Sequence, residues 1–124
     1  MYQSFEDLEV WKAARVLKKE ISALTKTFPD IEKFRLSDQL IRSSRSVGTQ
    51  ISEGHGRHTI PDRLRFCVIA RGSLSETLNH LIDAPDEEYI AEGQINYFRK
   101  RIDEVGKLLN GYITYLNGKN SQFN

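Results

Sequence analysis

Apolar residues recur along most of this chain at the alternating three- and four-residue steps of an amphipathic α-helix. The stripe of the first segment consists of Val10, Ala14, Leu17, Ile21, Leu24 and Phe28. That of the last segment is a regular heptad of Ile95, Phe98, Ile102, Val105, Leu109, Tyr112 and Leu116. These patterns predict helices over about 5–28 and 92–116.

Two further helices are predicted between them, over about 34–53 and 60–83. The stripe of the second consists of Leu36, Leu40, Ser44, Val47 and Ile51. That of the third consists of Leu64, Val68, Leu78 and Ile82, with apolar residues on other sides too, so more than one neighbour should cover this helix. Short loops predict an all-α, antiparallel up-down four-helix bundle, with residues 1–124 forming a single domain. A second subunit is one candidate for the extra neighbour.

The segment "ISEGHGRH" (51–58) links the second and third helices. Gly54 follows the last periodic residue, where a left-handed glycine commonly ends a helix. Thr59 and Pro61 fit the N-cap and first turn of the next helix. A phosphate-binding loop would need a preceding strand and a Gly-Lys-Ser/Thr ending, and both are missing. The segment is therefore interpreted as a connection between helices.

Arg71 falls inside the apolar stripe predicted for the third helix. A buried guanidinium requires an acidic partner, because an unpaired charge away from water is costly. Glu53, near the end of the second helix, is the candidate. We therefore predict a structural Glu53–Arg71 ion pair.

The remaining chemistry is sparse. The chain has three histidines and one cysteine, without metal-ligand spacing or an evident acid–base pair, so we expect no metal, no cofactor and no enzymatic activity. No apolar run approaches the roughly 20 residues that span a bilayer. With one cysteine and no visible secretory signal, we expect a cytoplasmic protein.

Three strings together resemble the four-helix proteins of the family named for an intervening sequence in large-subunit ribosomal RNA: "FEDLEVWKAA", "SDQLIRSSRSVGTQISEGHGR" and "RFCVIARGSLSET". Accessory proteins of diversity-generating retroelements are similar. The matching signature positions are Asp7, Leu8, Trp11, Gln39, Arg42, Glu53, Gly54, Gly56, Arg57, Ala70, Arg71, Gly72 and Ser73. The chain departs from the family pattern at Gly48, Gln50 and His55, where relatives commonly have proline, asparagine and an aromatic residue.

The resemblance implies an up-down bundle that assembles as a homopentamer and has no known catalytic activity. It also implies RNA or DNA, and a reverse transcriptase, as partners of the retroelement relatives. Charge fits this in part, because seven arginines and three acids lie between Arg35 and Arg71, although the whole chain has a net charge of only +1. Ordinary solvated helix faces with internal ion pairs would explain the same composition.

We therefore predict a non-enzymatic, oligomeric helical protein that binds nucleic acid through arginines. The candidate phosphate contacts are Arg42, Arg45, Arg57, Arg63 and Arg65. The alternative is a scaffold that binds a protein partner and no nucleic acid. The residues assign no role to His55 and His58.

Overall fold

The computed structural model describes residues 4–122, with side chains through residue 120, and contains four α-helices and no strand in that range. They are α1 (Glu9–Thr25), α2 (Leu36–His55), α3 (Ile60–Asp86) and α4 (Glu92–Gln122). Short 3-10 turns at Phe5–Asp7 and Asp30–Glu32 precede α1 and α2. The chain is therefore all-α, as predicted. None of the described helices is long and apolar enough to cross a membrane.

The predicted stripes of α1, α2 and α4 form most of the core. Every predicted stripe residue of α1 and α2 is buried, and in α4 only Tyr112 remains partly exposed. Each helix packs against two others: α1 on α2 and α4, and α3 on α2 and α4. Burial of these stripes drives folding, because apolar side chains leave water only where helices face each other.

The predicted stripe of α3 is wrong. Val68 is 60% exposed, while Leu64, Leu78 and Ile82 are only partly buried. The buried residues of α3 are instead Phe66, Cys67, Ala70, Leu74, Thr77, Leu81 and Ala84. From Cys67 onward they form a three-four heptad built largely of small or weakly apolar side chains. Residue hydrophobicity alone conceals such a stripe.

Two pairs of hydroxyl groups align α2 with α3. The hydroxyls of Ser43 and Thr77 lie 3.0 Å apart, and those of Ser46 and Ser73 lie 2.9 Å apart. Residue numbers thus rise along one helix as they fall along the other. Ser43 and Ser44 of α2 are both buried, and their small side chains allow a neighbouring helix to approach closely.

The helix ends differ from the prediction at three positions. α2 runs through Gly54 to His55, and its C-cap Gly56 has a right-handed φ of −79°, so the left-handed cap predicted at Gly54 is wrong. α3 runs to Asp86, past the end predicted at about 83, and α4 runs to Gln122, past the end predicted at about 116. The N-cap predicted at Thr59 is confirmed, since its hydroxyl accepts a bond from the Asp62 amide at 3.3 Å.

Candidate nucleic-acid interface

Gly54 determines how the turn between α2 and α3 is built. A Cβ atom at this position would lie 2.7 Å from the Cβ of Phe66 and 3.3 Å from the backbone oxygen of Arg63. Only glycine leaves room for α3 to approach α2 so closely. This contact places Phe66 between Arg57 and Arg65, which with Arg63 are the arginines of the turn.

The turn arginines have partners of their own. Arg57 lies 3.0 Å from a carboxylate oxygen of Glu53, and Arg65 lies 2.8 Å from one of Asp62. The guanidinium carbons of Arg57 and Arg65 lie 4.7 and 5.4 Å from the centre of the Phe66 ring. Exposed ion pairs of this kind contribute about 0–1 kcal/mol each, so they order the turn more than they stabilise the fold.

Arg63 is tied into the same turn through its backbone contact. Its Nε donates to the carbonyl oxygen of Arg57 at 2.9 Å, and its side chain is only partly exposed. The five predicted arginines therefore fall into two groups. Three lie in this turn beside two carboxylates, and two lie on α2.

The predicted Glu53–Arg71 ion pair is wrong. Glu53 forms an ion pair with Arg57, four residues later in the sequence. Arg71 is exposed, and its Nη2 donates to Oδ1 of Asn110 on α4. The error follows from the stripe assigned to α3. Once the buried face is centred on Cys67, Ala70 and Leu74, Arg71 lies beside α4 and needs no buried acid.

Arg42 and Arg45 lie on the exposed face of α2. Arg42 approaches Asp38 at 3.6 Å, but its side chain remains 79% exposed. Arg45 is exposed and forms no ion pair with any described residue. Arg42 and Arg45 are three positions apart in the sequence, so their guanidinium groups extend from neighbouring turns on one face of the helix. They are thus the predicted arginines most open to an external anion.

The groove between α1 and α2 contains cations that the sequence did not single out. Arg15 and Lys18 of α1 line it opposite Thr49 and Ser52 of α2. Trp11, Arg15 and Lys18 follow one another at steps of four and three, which places them on one helix face. That spacing was the available signal. These residues flank the apolar stripe of α1, so the sequence alone does not distinguish them from the edge of the core.

The reactive side chains are dispersed. Cys67 is buried, and burial raises the pKa of its thiol to about 11, so the thiol stays protonated near neutral pH and is a poor nucleophile. Among the described residues, no three His, Cys, Asp or Glu side chains come together as a metal site would require.

Fold and surface together define a class of small all-helical protein with a packed core and a basic groove along one pair of helices. Residues 6–111 match the model of the 23S rRNA-intervening sequence protein family, and the chain belongs to that family. It is also similar to a solved structure from Bacteroides thetaiotaomicron, a protein with unknown function from the S23 ribosomal protein family. That similarity has a TM-score of 0.76 and 28% identity, and covers 84% of this chain and 97% of the other. No curated protein matches.

Proposed function

We propose that this protein is a non-enzymatic nucleic-acid-binding module whose main contact surface is the basic face of α2. The observation that carries the proposal is the pair Arg42 and Arg45, exposed on neighbouring turns of α2. Further along the same helix, Thr49 and Ser52 share a groove with Arg15 and Lys18 of α1. Cations arranged in this way contact phosphates and bind RNA or DNA without reading its sequence. The turn arginines, Arg57, Arg63 and Arg65, serve as peripheral contacts because they are already engaged with neighbours.

The proposal includes the antiparallel up-down arrangement of the four helices and their assembly as a homopentamer. The opposed numbering of the Ser43–Thr77 and Ser46–Ser73 pairs supports the first. Family resemblance, together with the exposed apolar side chains Val68 and Ile69 on α3, supports the second. A ring would repeat the basic face several times and so raise avidity without new contacts per subunit.

The decisive experiment reverses charge at the proposed surface. Arg42→Glu with Arg45→Glu should abolish retention of a mixed RNA pool at low salt, because two phosphate contacts become repulsive. The matched control is Lys100→Glu with Lys107→Glu, which makes the same change in net charge on exposed positions of α4. Equal loss of binding in both variants, or no binding by the unmodified protein at any salt concentration, would refute the proposal.

The second candidate is a scaffold that binds a protein partner. The observation in its favour is the exposed apolar pair Ile31 and Phe34 in the loop before α2, 63% and 84% exposed. By family resemblance, a reverse transcriptase is one such partner. A partner recovered equally well by the unmodified protein and by the Arg42/Arg45 double variant, in the absence of RNA binding, would favour this role. Either role fits the cytoplasm, where a buried free thiol such as Cys67 stays reduced.

A further inference from the structure

A small cleft opens where the first turns of α1 meet the second half of α2. It has a volume of about 190 Å³ and is lined by Phe5, Trp11, Arg15, Lys18, Gly48, Thr49 and Ser52. Pockets that enclose drug-sized ligands are usually about 300–1,000 Å³. This cleft is therefore suited to a single small group and not to a whole nucleotide.

The charges around the cleft have one sign. Arg15 and Lys18 line it, and no carboxylate does. Neither side chain forms an ion pair with a described residue, so their charges are available to a ligand. The guanidinium carbon of Arg15 lies 5.7 Å from the centre of the Trp11 ring, whose edge meets Phe5 at a centroid distance of 5.1 Å. The Trp11 ring thus attracts the Arg15 guanidinium to its face through a cation–π contact.

Gly48 leaves the N–H edge of the indole uncovered. A Cβ atom at position 48 would lie 3.5 Å from Nε1 of Trp11 and 3.7 Å from its Cδ1. The indole N–H donates to no described residue and is not enclosed by the protein, so it can donate to a group that enters the cleft. On the opposite wall, the hydroxyls of Thr49 and Ser52 bond only to carbonyl oxygens of their own helix, at 3.0 and 2.9 Å.

We propose that this cleft binds one phosphate group, held by Arg15, Lys18 and the indole N–H of Trp11. Two cations, a neutral donor and the absence of carboxylates match the oxygens of a phosphate. The inference rests on the proposed function, because the phosphate is taken to belong to a nucleic-acid strand. Arg45 lies one turn before Thr49 on the same helix face, so the strand would continue from the cleft onto the basic face of α2.

Intrinsic tryptophan fluorescence monitors this cleft directly, because Trp11 is the only tryptophan in the sequence. A short oligouridylate and inorganic phosphate are titrated separately while Trp11 emission is recorded, and anisotropy of a labelled oligouridylate measures total binding. We expect a saturable change in emission whose midpoint matches that of the anisotropy.

Three variants locate the contact. Lys18→Ala should weaken oligouridylate binding roughly tenfold at low salt and reduce the slope of affinity against salt by about 0.7, the value for one phosphate of a single strand. Lys19→Ala, an equal charge change on an exposed neighbour pointing elsewhere, should change affinity less than about twofold. Gly48→Ala retains every charge but covers the indole edge, and should abolish the emission change while the fold remains intact.

The possible results distinguish failure of the phosphate-cleft inference from failure of the proposed nucleic-acid binding. Binding by anisotropy without an emission change, and with equal effects of Lys18→Ala and Lys19→Ala, would overturn the cleft inference and leave the proposed function standing. An emission response to inorganic phosphate without oligouridylate binding would support the cleft as a phosphate site and overturn nucleic acid as the source. No response to either probe would overturn both.

Discussion

Gly54 lies near the end of α2, as predicted, but glycine is required there for a different reason from the predicted helix cap. Its position after the last apolar residue of α2 indicated a helix end, and α2 does end one residue later, at His55, with Gly56 as its C-cap. What requires glycine at position 54, however, is the approach of Phe66 from α3. No local signal contains that information, because the two residues meet only once the helices pack.

Gly54→Ala should therefore destabilise the protein, although alanine favours helix. The new Cβ would collide with the Cβ of Phe66 and the backbone of Arg63, neither of which can move without shifting α3. We expect a loss of about 1–3 kcal/mol in the free energy of unfolding, typical of overpacking, measured by urea denaturation.

Gly111→Ala is the matched control, because a Cβ at that mid-helix position of α4 would meet no described atom within 4 Å apart from its chain neighbours and its own helix backbone. It should stabilise the protein by up to about 1 kcal/mol. A Gly54→Ala protein as stable as the Gly111→Ala protein would show that the turn between α2 and α3 adapts.

α3 was the helix whose orientation the residue pattern misjudged. Its buried heptad uses small and weakly apolar residues such as Cys67, Ala70 and Thr77, while larger Val68 and Ile69 face outward. The other three stripes were predicted correctly because large aliphatic residues mark them. Small residues on α3 allow close contact with α2, and a hydrogen bond between Ser43 and Thr77 lies inside that contact.

The Ser43–Thr77 pair offers a test of that contact. Thr77→Val should lower the free energy of unfolding by about 1–2 kcal/mol, because the buried Ser43 hydroxyl keeps only a 3.4 Å bond to the Leu40 carbonyl. Adding Ser43→Ala should restore much of that loss, since neither hydroxyl then remains unpaired. Thermal or urea unfolding of the two single variants and the double variant measures the coupling. Strictly additive losses would mean that the two hydroxyls do not depend on each other.

Across the whole molecule, the charged residues form spatial groups that differ from their grouping along the sequence. The arginines of one sequence stretch separate into two groups. Arg57 and Arg65 form ion pairs in the turn after α2, whereas Arg42 and Arg45 lie exposed along α2 itself. Packing also places Arg15 and Lys18 of α1 beside Thr49 and Ser52 of α2, which lie more than 30 residues later in the sequence. Assembly would add a further level, because Val68 and Ile69 lie exposed side by side on α3.

Light scattering tests the proposed assembly. A homopentamer would have a mass of about 72 kDa, five times the 14.3 kDa of one chain. Val68→Glu should lower that mass, because a charge would enter an apolar contact between subunits, whereas Lys100→Glu on exposed α4 should leave it unchanged. A monomeric mass for the unmodified protein would rule out the ring.

The order and approximate extent of the four helices follow from the sequence alone, because the period of an apolar stripe is a local property that each segment carries in itself. The N-cap at Thr59 and the burial of the α1, α2 and α4 stripes were predictable for the same reason. The need for glycine at position 54, the partners of Glu53 and Arg71, and the joining of Arg15 and Lys18 to the α2 face emerged only from packing. Each of these depends on which side chains of distant segments come into contact. Helical spacing within one segment does not determine how segments far apart in the sequence pack together.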